Sequence, residues 1–226
     1  CLFIYYISNF QMIKISPSIL SADLLKLEEE VRFLDQNGAD YIHIDIMDGH
    51  YVPNITFGPN IVRSLRQITK KVLDVHLMIK PVQSYIKEFI KAGSDILTFH
   101  PEADTNSLNI IDEINQSGIK SGIAIHPNIK IVDIENYLSK VQQVIVMTVV
   151  PGFGGQKFMH DQVSKIKDLY DLRKAKNYKF DISVDGGINN ETGKICIGSG
   201  ADILAVGSYL LSKEYNDYNK TIKSLR

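Results

Sequence analysis

The sequence predicts an α/β protein that folds as a single (β/α)8 barrel of the TIM type. Short apolar segments alternate with longer amphipathic ones, and eight strand–helix pairs can be assigned. The predicted strands are almost continuously apolar, which is typical of parallel strands buried on both faces. A chain of 226 residues is compact but normal for such a barrel. An open doubly wound sheet is the alternative, but no linker or change of composition separates two halves.

The strands are assigned from short runs rich in β-branched and other apolar residues. They are predicted over residues 15–20, 41–45, 72–78, 96–100, 119–125, 143–148, 180–184 and 203–206. The helices are assigned from amphipathic segments that end at glycine or begin at proline. They are predicted between residues 21 and 37, from residue 60, over 81–92, 105–116 and 131–138, between 157 and 176, over 189–198, at 208 and over 218–225.

Net charge and cysteine content argue against nucleic-acid and membrane partners and against an oxidising compartment. The net charge of −1 and the pI near 6.7 give no electrostatic footprint for nucleic acid or an anionic membrane. The cysteines Cys1 and Cys196 form no CxxC pattern, which favours a reducing compartment and a cytoplasmic location.

The N-terminal segment is predicted to be an extension over residues 1–12, with the barrel over residues 13–226. The apolar run from Leu2 to Ile7 is shorter than the roughly 20 residues that span a bilayer. It also lacks the basic start and the cleavage site of a secretory signal, although organelle targeting stays open.

The segment from Tyr41 to Met47 carries the most unusual pattern in the chain. Side chains alternate between the two faces of a strand, so His43 and Asp45 share one face with Tyr41 and Met47. Burying even a neutral polar group without a partner costs about 2–7 kcal/mol. The two side chains are therefore expected to be paired with other polar groups or bound to something.

Polar residues that could complete this site stand at the ends of other strands. His76 lies near the end of the third strand, and Asp185 follows the seventh. The C-terminal ends of barrel strands form one mouth, and two imidazoles with two carboxylates suit a divalent transition metal. Taken singly, a histidine can be a satisfied core residue and an aspartate before Gly-Gly a turn former. On the residues alone, the metal and structural interpretations stay level.

Other strand-end residues admit two interpretations. Glycine-rich turns at Gly152-Phe153-Gly154-Gly155, Gly186-Gly187 and Gly207-Ser208 predict a phosphate site, although each glycine alone could serve a tight turn. Met47, Met78 and Met147 are either core filling or an apolar pocket wall. Ser18 either binds a substrate hydroxyl or caps a turn. Structural or supporting roles are expected for Asp48, Asp74, His100 and His126.

Several motifs, taken together, closely resemble the ribulose-phosphate 3-epimerase family. The resemblance spans about residues 13–211, in family order and spacing. The motifs are PSILSAD at 17–23, HIDIMDG at 43–49 with VPN at 52–54, DVHLM at 74–78, VVPGFGGQ at 149–156, VDGGI at 184–188 and GS at 207–208. Val150 and the loop His126-Pro127-Asn128 depart from the commonest family pattern.

The resemblance implies a barrel of the ribulose-phosphate-binding type and the interconversion of D-ribulose 5-phosphate and D-xylulose 5-phosphate. It implies one divalent metal per subunit, with zinc favoured and iron(II), manganese or cobalt as alternatives. It assigns His43, Asp45, His76 and Asp185 as ligands, and Asp45 and Asp185 also as the acid/base pair. Ser18, His76 and the three glycine turns would contact the phosphorylated ketopentose. A homodimer is expected, with a hexamer as the alternative.

Three alternative functions differ in the residues that they need. A 3-epimerase of a hexulose 6-phosphate such as D-allulose 6-phosphate would use the same ligands. A phosphate-binding lyase would need a lysine at a strand end, whereas Lys71, Lys120 and Lys179 stand at strand beginnings. A non-catalytic barrel would not need both aspartates and all three glycine turns.

Overall fold

The computed structural model describes residues 12–226 and shows an eight-stranded, all-parallel barrel. The strands are β1 (Lys14–Pro17), β2 (Tyr41–Met47), β3 (Val72–Met78), β4 (Ile96–Phe99), β5 (Lys120–Ile125), β6 (Gln143–Met147), β7 (Asp181–Asp185) and β8 (Ile203–Val206). Their order, β1-β8-β7-β6-β5-β4-β3-β2, leaves β1 and β2 at the two edges of the sheet. A parallel bridge between Ser18 and His43 joins these edges. The predicted fold class is confirmed.

Helices surround the strands on the outside. They are α1 (Leu27–Gln36), α2 (Pro59–Ile68), α3 (Ile86–Ala92), α4 (Ser107–Gln116), α5 (Val163–Lys176), α6 (Asn190–Gly198), α7 (Ser208–Leu211) and α8 (Tyr218–Ser224). No helix within residues 12–226 is long and apolar enough to cross a membrane. Except for Met12, the predicted N-terminal extension lies outside the described residues.

Some predicted boundaries were wrong. The segment predicted as a helix over residues 131–138 forms two short 3₁₀ turns, Ile131–Asp133 and Glu135–Tyr137. The third helix begins at Ile86 rather than at Pro81, which follows a cis peptide bond. The first strand ends at Pro17, because Ser18 accepts a hydrogen bond from the Leu20 amide and starts a 3₁₀ turn.

The main apolar core fills the layer between the barrel and its helices. Ile42, Ile44 and Ile46 of β2 point into this layer and are at most 2% exposed. Burial of each such side chain stabilises the fold by about 1.5–3 kcal/mol. The alternate residues of β2 therefore point into the barrel, as the strand pattern predicts.

A polar layer crosses the middle of the barrel and is centred on Asp74. This fully buried carboxylate lies 2.8 Å from His43 Nδ1, and it accepts hydrogen bonds from Gln143 Nε2 at 2.7 Å and Ser16 Oγ at 3.4 Å. A buried carboxylate is tolerated only when such partners offset its lost hydration. Through its contact with His43, this layer supports the polar groups at the barrel mouth.

Candidate active site and metal centre

Four polar side chains meet at the C-terminal ends of β2, β3 and β7. The strand register places Asp45 beside His76, and Asp185 is the last residue of β7. One ligand atom from each of His43, Asp45, His76 and Asp185 lies within 4.8 Å of the others. The structure thus brings together the four residues that the sequence predicts as ligands.

The spacing of these atoms fits a shared ion. His43 Nε2 lies 3.3 Å from Asp45 Oδ1 and 3.8 Å from Asp185 Oδ2. The corresponding distances from His76 Nδ1 are 3.2 and 3.7 Å. Atoms about 3–4 Å apart are spaced as neighbouring ligands of one ion with bonds of about 2.0–2.2 Å. A set of two nitrogens and two oxygens suits zinc, iron(II), manganese or cobalt.

His43 has the orientation of a metal ligand. Its Nδ1 lies 2.8 Å from Asp74, so this nitrogen carries the proton and donates to the carboxylate. Its Nε2 is buried, has no hydrogen-bond partner and faces the carboxylates of Asp45 and Asp185. An unpartnered buried nitrogen costs free energy unless it is bound to something. Burial opposes protonation, but Asp45 and Asp74 outweigh it and raise the pKa of His43, so the site stabilises positive charge here.

The two aspartates differ in their surroundings. Burial raises the pKa of Asp45, but His43 and His76 outweigh this effect, and the net pKa is lowered. Burial and the nearby Asp45 carboxylate instead raise the pKa of Asp185 to about 6. Asp45 Oδ2 also accepts a 2.6 Å hydrogen bond from Ser18 Oγ. One carboxylate is therefore held charged, while the other can take up a proton near neutral pH.

A cavity of about 380 Å³ opens above the two aspartates. Its volume lies within the usual range for a small-molecule site, about 300–1,000 Å³. Of the predicted site residues, those that line it are Ser18, Asp45, Met47, Met78, Met147, Gly152, Phe153, Gly154, Gly155, Asp185, Gly186, Gly187, Gly207 and Ser208. His43 and His76 are fully buried and are not part of the lining. The two histidines therefore support the cavity from behind its wall.

The three glycine turns lie along this cavity. At two positions in them, no residue with a Cβ fits without strain. Gly186 has a φ of +118°, and a Cβ there would stand 2.5 Å from Val149 Cγ2. Gly187 has a φ of +65°, and a Cβ there would stand 2.7 Å from the backbone nitrogen of Phe158. The left-handed backbone and the close approach both require glycine.

Four further residues of the cavity wall had no predicted role. Ser21, Asn189, Tyr209 and Ser212, all with polar side chains, line the cavity. Ser21 lies inside the motif at 17–23, and Asn189 and Tyr209 directly follow the motifs at 184–188 and 207–208, so their proximity to the site was a usable signal. Ser212 stands just after the short α7 helix, and only the fold brings it to the cavity.

A second polar chain begins behind His76 and includes His100, for which a structural or supporting role was expected. His76 Nε2 lies 3.0 Å from His100 Nε2, and His100 Nδ1 lies 3.3 Å from Glu102 Oε1. The Tyr51 hydroxyl donates to the same Glu102 oxygen at 2.7 Å. Burial and the nearby His76 lower the pKa of His100 to about 4, against the opposing effect of Glu102. His100 is therefore neutral at neutral pH. His126 lines a separate groove with Tyr51 and Glu102.

Fold and site together define a (β/α)8-barrel protein with a His₂Asp₂ cluster at the catalytic end. Solved structures with the same fold include KGPDC from Streptococcus mutans, with a TM-score of 0.69 and 16% identity, covering 95% of this chain and 96% of that one. Thiamine phosphate pyrophosphorylase from Pyrococcus furiosus has a TM-score of 0.63 and 18% identity, covering 95% and 94%. At these identities the likeness shows the fold alone.

Sequence comparison identifies the family. The sequence model of the ribulose-phosphate 3 epimerase family matches residues 14–211. The ribulose-phosphate 3-epimerase of Bacillus subtilis (strain 168) is 45% identical over 216 residues, covering 95% of this chain and 99% of that protein. The chloroplastic ribulose-5-phosphate-3-epimerase of Arabidopsis thaliana is 41% identical over 214 residues, covering 94% and 75%. The chain belongs to the ribulose-phosphate 3-epimerase family, so the predicted family and its enzyme class, an isomerase, are confirmed.

Proposed function

We propose that this protein interconverts D-ribulose 5-phosphate and D-xylulose 5-phosphate by inverting the configuration at C3. The observation that carries the proposal is the placement of Asp45 and Asp185 at the floor of one cavity, within a cluster of two histidines. Family membership supports the reaction class, and the relatives named above are named for this activity.

Inversion at C3 needs proton transfer on both faces of the substrate. Asp45 and Asp185 stand on β2 and β7, with β1 and β8 between them on one side of the barrel and β3 to β6 on the other. Their carboxylates thus enter the cavity from different walls. One aspartate removes the C3 proton, while the other, in its protonated form, returns a proton to the opposite face. Burial and the nearby Asp45 raise the pKa of Asp185 while that of Asp45 is lowered, which favours Asp185 as the carboxyl that holds the proton.

The residues present fit a divalent cation held by His43 Nε2, His76 Nδ1, Asp45 and Asp185. When bound, such a cation supplies Lewis-acid stabilisation of the negative charge that develops on the substrate oxygens. Met47, Met78 and Met147 are at most 2% exposed and line the same cavity. They exclude water from the reacting carbon, which strengthens every electrostatic interaction there. Zinc as the metal and a homodimer as the assembly stay predictions.

The phosphate group of the substrate is assigned to the glycine turns. The turns after β6, β7 and β8 line one cavity together with Asp45 and Asp185. Backbone amides exposed in such turns bind anions without a charged side chain. Among the described residues, no lysine lines the cavity, which argues against a lyase that forms a Schiff base with its substrate.

A single assay separates the remaining choices. The purified protein is tested on D-ribulose 5-phosphate and D-allulose 6-phosphate, with metal analysis of the same sample. We expect a larger kcat/KM for the pentose phosphate and about one divalent metal ion per chain. A larger kcat/KM for the hexulose phosphate would instead assign the alternative epimerase. Activity on neither substrate would overturn the proposal.

A further inference from the structure

The polar chain behind His76 has a single consistent direction of proton donation. If His76 binds a cation through Nδ1, its Nε2 must carry the proton. That proton points at His100 Nε2, 3.0 Å away, so this nitrogen of His100 must accept. A neutral His100 then carries its proton on Nδ1, which lies 3.3 Å from Glu102 Oε1 but is not aligned for a hydrogen bond, so the contact between the two groups is electrostatic. The hydrogen bond to that oxygen comes from the Tyr51 hydroxyl.

We propose that His100 and Glu102 are positioning residues that fix the tautomer of His76 and strengthen it as a metal ligand. This inference rests on the proposed metal centre. A carboxylate that accepts the second N–H of a ligating histidine sets the ring orientation and raises its basicity. Here the same effect is transmitted through a second imidazole, from Glu102 through His100 to His76.

The need for an intervening histidine follows from the charge already inside the barrel. Asp45 and Asp185 belong to the ligand cluster, and Asp74 lies beside it. Asp74 already accepts the hydrogen bond from Nδ1 of His43. A further carboxylate placed against His76 would add one more buried charge at a large desolvation cost. Glu102 instead keeps a side chain that is 30% exposed, while the fully buried His100 reaches the ligand. The arrangement supplies an acceptor to His76 without burying another full charge.

Packing holds the chain in place. The ring of Tyr51 lies 4.6 Å from that of His100 between centroids, and the rings of His76 and His100 are 5.1 Å apart. A purely structural role would need this packing alone. A positioning role also needs the negative charge of Glu102, and this difference can be tested.

The test removes the charge of Glu102 and keeps its size. The full-length Glu102→Gln variant is stripped of metal, and its Zn²⁺ affinity is measured by competition with a chromogenic chelator. Glu88→Gln, the same change at an exposed position of α3, is the matched control. We expect Glu102→Gln to lose about tenfold to 100-fold in Zn²⁺ affinity and Glu88→Gln to lose none. In NMR spectra of ¹⁵N-histidine-labelled protein, the proton on His76 Nε2 should shift in Glu102→Gln only.

His100→Phe provides a second variant, which keeps an aromatic ring but removes the acceptor. It should lose at least as much Zn²⁺ affinity as Glu102→Gln. Equal Zn²⁺ affinity in wild type, Glu102→Gln and Glu88→Gln would overturn the positioning role while leaving the metal centre intact. Failure of the wild-type protein to bind Zn²⁺ would overturn both the metal centre and this inference.

Discussion

His43 Nδ1 lies 2.8 Å from Asp74 Oδ2, and both side chains are fully buried inside the barrel. The contact fixes the proton of His43 on Nδ1 and leaves Nε2 free to face Asp45 and Asp185. Asp74 therefore determines which nitrogen of His43 is available to a cation.

The Asp74→Asn variant should bind metal less tightly. The new amide can donate to His43 Nδ1, which moves the ring proton to Nε2, the nitrogen needed by the cation. We expect Zn²⁺ affinity to fall about tenfold to 100-fold. Competition titration checks this, with Asp112→Asn, a partly exposed position on α4, as the control. Unchanged affinity in Asp74→Asn would contradict the assigned tautomer.

The Gly186→Ala variant should damage the substrate cavity. A Cβ at this position would stand 2.5 Å from Val149, and the φ of +118° disfavours alanine. Displacement of the turn by about 1 Å should lower kcat/KM by about 100-fold. Gly118→Ala is the control, because Gly118 also has a positive φ but no atom within 4 Å of its Cβ position. Equal kcat/KM in the two variants would refute a role for the turn in the cavity.

The barrel interior leaves no room at Gly122. A Cβ there would stand 2.2 Å from Thr98 Oγ1 and 3.2 Å from Gln143 Cβ. Gly122→Ala should therefore lower the free energy of unfolding by about 1–3 kcal/mol. Gly198→Ala, with nothing within 4 Å and an ordinary φ, is the control and should be neutral or slightly stabilising. Urea denaturation measures both, and equal stability would show that the interior has spare volume.

Cys196 should be unreactive in the folded protein. It is fully buried on α6, and burial raises the pKa of its thiol to about 12, from an ordinary value of 9.0. Because the thiolate is the reactive form, a thiol reagent at pH 8 should label Cys196 only after denaturation. Peptide mapping distinguishes it from Cys1. Labelling at the same rate in the native and denatured states would contradict this burial.

The same thiol should make stability depend on pH under alkaline conditions. Above pH 9.0 the unfolded chain releases the Cys196 proton that the folded protein retains, so stability falls as the pH rises toward 12. At pH 11 this contribution should reach about 2–3 kcal/mol. The Cys196→Ala variant should lose less stability than wild type between pH 8 and pH 11. Equal losses by urea denaturation would contradict the raised pKa.

The fold could be predicted because its signal is local. Apolar strands alternating with amphipathic helices indicate a parallel barrel, and the glycine stop after Ala92 matches the end of α3. The segment over residues 131–138 was mispredicted because Ile134 and Leu138 are buried with a helical spacing, although the chain forms only 3₁₀ turns. A pattern this short does not distinguish the two kinds of helix.

The site could be predicted only in part, for a different reason. His43, Asp45, His76 and Asp185 stand at strand ends, where topology alone brings them to one mouth. The contacts that orient the histidines depend on atomic positions. Glu102 is 51 residues from Tyr51 in the chain, and no periodicity indicates that their side chains meet. Asp74 was expected to be a turn or supporting residue, and its contact with His43 agrees with the second of these roles.

The most direct test of the two-aspartate account measures proton exchange at C3 in deuterated water. Wild-type protein should place solvent deuterium at C3 of the product, because the proton removed by one carboxylate is replaced from the other. Asp45→Asn and Asp185→Asn should each lower kcat by a factor of about 10²–10⁴. The control variant Asp112→Asn should keep the wild-type kcat and the wild-type deuterium exchange. Product without deuterium at C3, or near-normal turnover in either site variant, would contradict the account.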